Sequence, residues 1–509
     1  MRVLGAHQTW LTLAVATLSL TVTSCIASKQ IDEPHTQLPA TATVNAAPTA
    51  PTAPTAPTVH PTALDDTEVA DLLRRAVCWH NEPTTAAECV PLTKTTALAI
   101  EALGRSGDPR FTVPLVDMLW IEIGWADWVE DALEAITGKR HANAQSWSAW
   151  VAEQAPPLPM GYAGWKGRLL SLVDHRFTEL LADGIIHEPR VEELLWAGVR
   201  VGGLPPLNSP ATVHRIEERY LDGDDVVFGM HIGGEARAYP ERIIAWHGAL
   251  WDEIDGTSIL LLHCVPCGSA AAFKGELAGR ELRLVASGLV YRSRMLFTDE
   301  ETGSLWDPVS GRAITGPAFE NSEQLVPLSL RRASWEEWSS LHPTTRVLAL
   351  ETGFVRNYNT DSVLEENFVV AEPLYPAAIL DERLPAKELV LGIEITTEDR
   401  SVRHAYRLAA LEAAGITKVT LGNKKLVLLS RGPRTGVAAY LAPPAAIKEL
   451  VMTETLGLVA VDTEGERWFV SEEALVSTLD SVRRTSVPTR TAYWFAWAGA
   501  WPATGLDDS

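Results

Sequence analysis

Residues 226–273 read VVFGMHIGGEARAYPERIIAWHGALWDEIDGTSILLLHCVPCGSAAAF. Val226 to Ile232 alternates as a strand, Gly233-Gly234 makes a tight hairpin turn, and Glu235 to Tyr239 is the returning strand. Pro240 ends that strand and opens a helix carrying Ile243, Ile244, Trp246 and His247. Asp255-Gly256 then turns the chain into Ser258 to Leu262, an apolar strand that delivers His263 and Cys264. Short strands interrupted by short helices, without regular strand–helix alternation, predict an α+β fold.

The second half repeats this text. Val226 to Gly229 corresponds to Leu389 to Gly392, Ala238-Tyr239 to Ala405-Tyr406, and Leu261-Leu262 to Leu428-Leu429. Ala271 to Phe273 corresponds to Ala438 to Tyr440, and Trp335 to Trp338 to Trp494 to Trp497. The order is kept throughout. A first α+β repeat over 158–350 and a second, degenerate one over 351–509 are therefore expected, packed as a β-rich pseudo-twofold pair. At the spacing that relates Leu261 to Leu428, Cys264 falls on Arg431, Cys267 on Arg434, His263 on Ser430 and His247 on Ala414. The apolar framework survives duplication while the soft and titratable groups are lost together. That joint loss points to a functional site in the first copy and a supporting role for the second.

Three readings of that site stay open. One imidazole and two thiolates, His247, Cys264 and Cys267, with Met295 or His263 as a fourth donor, suit a soft metal, copper first and zinc second; the chain is then a metal-binding protein, with oxidoreductase chemistry as the leading enzyme reading. Alternatively, the C-x-x-C pair does thiol–disulfide chemistry, a nearby His lowering a thiol pKa. The third reading is a non-catalytic binding or scaffold protein of the cell envelope, in which the cysteines are an ordinary structural disulfide and the tryptophans are core. Asp252 and Glu253, expected on the helix of His247, would orient a ligand histidine or simply face solvent. No P-loop, dinucleotide fingerprint or Ser-His-Asp order is visible.

Upstream, Arg2 and the apolar run Trp10 to Val22 read as a signal peptide over 1–24. Val22-Thr23-Ser24-Cys25 resembles a bacterial lipobox, which makes Cys25 the lipidated residue; an ordinary secretory signal or a short anchor is the alternative. Residues 25–66, with Pro-Thr-Ala repeated from Pro48 to Pro57, are a semi-rigid tether. Together these predict an extracytoplasmic protein held to a membrane by lipid. Outside the cytoplasm Cys78 and Cys89 are expected to form a disulfide, the alternatives being free thiols or a metal role with His80. Residues 67–155 read as a small α-helical module with Thr67 as N-cap and a Gly107-Asp108-Pro109 turn, HEAT-like in texture, the kind of module that docks a protein partner. The 509 residues are 46% hydrophobic and carry a formal net charge of −22, which supports large cores and argues against nucleic acid as a partner.

The motifs also carry a resemblance. Asp183-Gly184-Ile185, Pro205 to Asn208, Gly234 to Pro240, Trp246-His247, Cys264 to Gly268, Ser287 to Tyr291, Glu301 to Trp306 and Gly311 to Gly316 resemble the bacterial family catalogued as domain of unknown function 3179, over about 180–509. Where that family has Asn-Ser-Asp after the tyrosine, this chain has Arg292-Ser293-Arg294, and a usual Tyr-Asp-Arg reads Phe297-Thr298-Asp299. The resemblance implies a fold and a site, not a reaction.

Overall fold

The computed structural model describes residues 64–77, 94–121, 124–358, 370–377, 381–397, 400–455 and 457–507, together with Leu364. Cys25, Cys78, Cys89, the leader and nearly all of the tether lie outside the described residues. Helices and many strands are present, so the α+β class holds.

The N-terminal helices form where the sequence places them. Asp66–Ala76 starts one residue before Thr67, because Asp65 and Glu68 cap it reciprocally: the Glu68 amide donates to the Asp65 carboxylate and the Asp65 amide to that of Glu68. Thr67 already lies inside the first turn and cannot cap. Lys94–Ser106, Thr112–Leu119, Ala126–Thr137, Ala144–Gln154 and Tyr162–Leu170 follow. Gly138 ends its helix in the left-handed region at φ 66°, as a glycine stop should. Val69, Leu73, Leu115, Leu133 and Trp147 from these helices join Leu260, Phe297 and Trp306 of the strands in one hydrophobic core. No helix among the described residues is long and apolar enough to cross a membrane.

The strands fall into two stretches with matching order. In the first, Val226–Ile232 pairs antiparallel with Glu235–Pro240 and with Arg331–Ser334, and Glu235–Pro240 takes Arg346–Leu348 alongside in parallel. In the second, Leu389–Thr396 pairs antiparallel with Ser401–Arg407 and with Thr489–Tyr493, and Ser401–Arg407 takes Gly505–Asp507 in parallel. Fine contacts recur as well. A Cβ at Gly229 would lie 2.2 Å from the Trp338 ring, and one at Gly392 would lie 2.0 Å from the Trp497 ring. Trp338 Nε1 donates to Thr345 Oγ1 at 3.0 Å, and Trp497 Nε1 to Thr504 Oγ1 at 2.9 Å. The His263 amide donates to Gly248 O at 2.6 Å, and the Ser430 amide to Gly415 O at 2.7 Å.

One nine-stranded sheet runs through both stretches. In order it holds Leu207–Asn208, Ala249–Ile254, Thr257–Cys264, Ser269–Lys274, Thr489–Tyr493, Leu389–Thr396, Ser401–Arg407 and Gly505–Asp507, with Pro327–Leu328 also on Ser269–Lys274. The seam is the pairing of Ala270 with Thr491. The C-x-x-C turn lies at the end of a strand next to that seam.

Candidate functional site

Thr257–Cys264 and Ser269–Lys274 pair antiparallel with His263 opposite Ala270 and Cys264 opposite Ser269. The turn between them closes on its own backbone: the Cys267 amide donates to Cys264 O at 3.1 Å and the Gly268 amide to Val265 O at 3.0 Å. Gly268 has φ 57°, and its Cα lies so close to the Tyr493 ring that a Cβ would come within 2.8 Å. Cys264 and Cys267 are joined in a disulfide with their Cα atoms 5.2 Å apart. Both residues are fully buried and pack with Val309, Ala492, Tyr493, Trp494 and Trp497.

Strand alternation separates the two neighbours His263 and Cys264. Leu262 belongs to the core with Leu260, Phe297 and Trp306, whereas Leu261 belongs to a second core with Phe228 and Tyr239. His263 shares the Leu261 face. Its ring lies 5.9 Å from that of Phe228 and its Nε2 is 3.4 Å from Glu241. Burial works to raise the Glu241 carboxyl, but His263 and Arg332 beside it outweigh this and hold it below its ordinary value. His263 is thus a partner of Glu241 on the opposite side of the strand from Cys264, not a neighbour of the sulfurs.

His247 also has other partners. It is fully buried, and its Nδ1 donates to Pro205 O at 2.6 Å while Nε2 accepts from the Tyr358 hydroxyl at 2.6 Å. The Tyr358 hydroxyl is in turn 2.7 Å from Thr352 Oγ1. Burial pushes the imidazole below its usual pKa against the pull of the Pro205 carbonyl, which fits this neutral form. Asp252 is not on the helix of His247. That helix is a single turn, Glu241–Ile244, and Gly248 at φ 70° sends the chain into the strand Ala249–Ile254. There Asp252 accepts from Arg237 Nη1 at 2.8 Å and from Tyr239 at 2.9 Å.

Met295 does reach the pair, through its backbone. Its amide lies 3.4 Å from Cys264 Sγ, and its methyl group is 3.8 Å from where a Gly248 Cβ would be. It therefore spans the space between the cysteine turn and the corner after His247. Among the described residues no group of three or more His, Cys, Asp and Glu side chains is arranged to hold a metal ion. Of the sequence-derived set, the structure brings together Cys264, Cys267 and Met295; His247 and His263 have their own partners.

Two residues escaped the sequence reading. Tyr358, which holds His247, is 111 positions away from it. Arg294 lies next to Met295, almost completely buried, with Nε 3.3 Å from Asp307 and Nη1 without a partner. Its signal was present in the basic Arg292-Ser293-Arg294 run, where the family pattern has an acid.

The counterpart turn between Lys424–Leu429 and Ala438–Leu441 has no cysteine. Ser430 Oγ meets Thr435 Oγ1 at 3.0 Å, the Arg431 amide donates to Thr435 Oγ1 at 3.0 Å, and Arg431 Nη1 reaches Glu337 at 2.8 Å.

No curated protein and no solved structure is a significant match to the chain. A family model described as "Protein of unknown function (DUF3179)" matches residues 201–504, which include the cysteine turn and both sets of strands except Gly505–Asp507. The chain belongs to this family, DUF3179.

Proposed function

We propose that the protein is a thiol–disulfide redox protein of the cell envelope, with Cys264 and Cys267 as its reacting pair. One observation carries this: the bond is nearly redundant as a staple. The turn closes through its own backbone, the cysteines are three residues apart, and the counterpart turn at 430–437 holds with Ser430 and Thr435 instead. A bond across so short a loop stabilises by about 2 kcal/mol in the chain-entropy description. A bond the fold needs so little is kept for its chemistry.

The same reading takes in the rest of the chain. Cys25 carries the lipid, residues 25–66 lift the folded part off the membrane, and the HEAT-like helices of 67–155 offer a surface to a protein partner. The two sets of strands are pseudo-twofold duplicates. The matched Gly229–Trp338 and Gly392–Trp497 contacts and the matched indole hydrogen bonds support this. The second copy has given up the cysteines and buttresses the first through the shared sheet.

A soft metal held by the reduced pair, copper(I) before zinc, is the second reading. Packing of the Met295 side chain against the cluster that holds both cysteines supports it, since a thioether is a soft donor that suits copper(I). His247 joins such a set only by giving up the Tyr358 hydroxyl.

The test is a redox titration of the purified protein in dithiol/disulfide buffers, with the oxidation of Cys264 and Cys267 read by mass spectrometry. Reversible two-electron reduction of the folded protein at a potential above about −300 mV is expected, since structural disulfides lie below that value. A pair that is reduced only when the chain unfolds overturns the proposal. One copper or zinc per reduced chain, lost in Cys264→Ser, would establish the second reading.

A further inference from the structure

The two sulfurs of the pair have different surroundings. Cys264 Sγ faces the Met295 amide at 3.4 Å, a backbone donor fixed by the register of its own hairpin, Leu284–Tyr291 with Arg294–Asp299. An amide aimed at sulfur favours the thiolate over the thiol. Cys267 is held differently. Its amide is spent on Cys264 O, its carbonyl accepts from the Tyr493 amide at 2.8 Å, and no hydrogen bond reaches its sulfur among the described residues. Apolar side chains surround it, which favours the neutral thiol.

Resting on the thiol–disulfide reading, we infer that Cys264 is the attacking sulfur and Cys267 the resolving one, with the Met295 amide as the group that holds the Cys264 thiolate. Both sulfurs are buried behind Trp494 and Trp497, so exchange requires that wall to open; in the reduced protein the Cys264 thiolate then attacks one sulfur of a substrate disulfide. A Cys264–substrate bond forms, the substrate's own S–S bond breaks, and the departing sulfur takes the electron pair and then a proton from water. Cys267, its proton released to solvent, attacks Cys264 Sγ. The Cys264–Cys267 bond forms, the mixed disulfide breaks, and the second substrate sulfur leaves as thiolate. Two electrons pass from the cysteine pair to the substrate disulfide, and an external dithiol returns them by the same exchange in reverse. The substrate class is therefore a disulfide.

The order of the two sulfurs is read directly from Cys267→Ser and Cys264→Ser, each leaving one thiol of the pair in the full-length protein. Iodoacetamide alkylation of the remaining cysteine is followed by site-resolved mass spectrometry from acid to alkaline pH. Access scales the rate equally at every pH, so the midpoint of the profile reports the thiol pKa. Cys264 is expected to titrate roughly one pH unit or more below Cys267, on the scale by which hydrogen bonds and burial shift such groups. Equal midpoints, or Cys267 titrating lower, overturn the assignment. Circular dichroism checks the fold of both variants, and the same ordering measured in the reduced wild-type chain decides the matter if either variant unfolds. Failure of the redox reading itself would appear in the titration of potential instead, since a single thiol has a pKa whether or not the pair ever cycles.

Discussion

Breaking the Cys264–Cys267 bond without removing an atom isolates its mechanical worth. The perturbation is a reductant, applied to a chain carrying Cys78→Ala and Cys89→Ala so that only one possible disulfide remains in the folded part. Two residues lie between the cysteines, so the bond closes a loop of four residues. The chain-entropy relation then gives about 6 cal/mol/K, or about 2 kcal/mol near room temperature, against about 3 kcal/mol for a loop of about fifteen residues. The real loss should fall below that figure, because the backbone bonds of Cys267 and Gly268 hold the same turn closed after reduction. Urea unfolding followed by tryptophan fluorescence, with and without reductant, reads the difference. A shift equivalent to about 2 kcal/mol or less is expected, at an unchanged slope. A loss of about 4 kcal/mol or more, in the range of native staples in small secreted domains, would make the bond structural and remove the argument for its redox role.

Two further outcomes follow from the same geometry. Gly392→Ala drives a methyl group into the Trp497 ring and Gly229→Ala does the same at Trp338, so each should cost about 1–3 kcal/mol or more in thermal or urea unfolding; a neutral substitution at either site would contradict the close packing. Burial holds both His247 and His231 below their usual pKa, His342 adding to the effect on His231. The native state thus binds fewer protons than the unfolded chain. Stability from these groups is full above about pH 6.5 and is lost as pH falls through that value toward the lower native pKa. The unfolding midpoint should drop between about pH 6.5 and 5, and less steeply in His247→Asn; a flat profile there refutes the assignment. Glu472 contributes in a separate, more acidic window. Burial raises it, but Arg331 and His342 outweigh this and hold it at about 2, so its share disappears only as pH falls below 4.5.

Local pattern explains what was legible in the sequence. Val226 to Tyr239 is a hairpin because apolar alternation flanks Gly233-Gly234, and both strands form where that pattern puts them. Trp335–Leu341 is likewise the helix its text suggests, capped by Ser334 on the Glu337 amide. The C-x-x-C turn was visible as two cysteines in reach of one another. The partners of the histidines were not. His263 and Cys264 are adjacent in sequence and opposite in space, a consequence of strand alternation that a list of donor residues does not contain. The text from Ile243 to Trp251 reads as one helix that carries on to Asp252, but the helix ends at Ile244, and Gly248 with its left-handed backbone turns the chain into the strand Ala249–Ile254. Tyr358 acts through a contact 111 positions away in sequence, and no periodicity announces that.

The strand Thr489–Tyr493 lies between Ser269–Lys274 and Leu389–Thr396, and the residues after it supply Trp494 and Trp497 to the wall around the cysteines. This segment thus joins the two halves of the sheet and covers the sulfurs. During synthesis the cysteine turn emerges long before that cover does, so oxidation of the pair can precede its burial. A chain shortened before Thr489 would leave the turn uncovered and two sheet edges unpaired, open to other thiols and other strands. Docking of the segment from Thr489 to Trp501 is therefore the step that covers the pair.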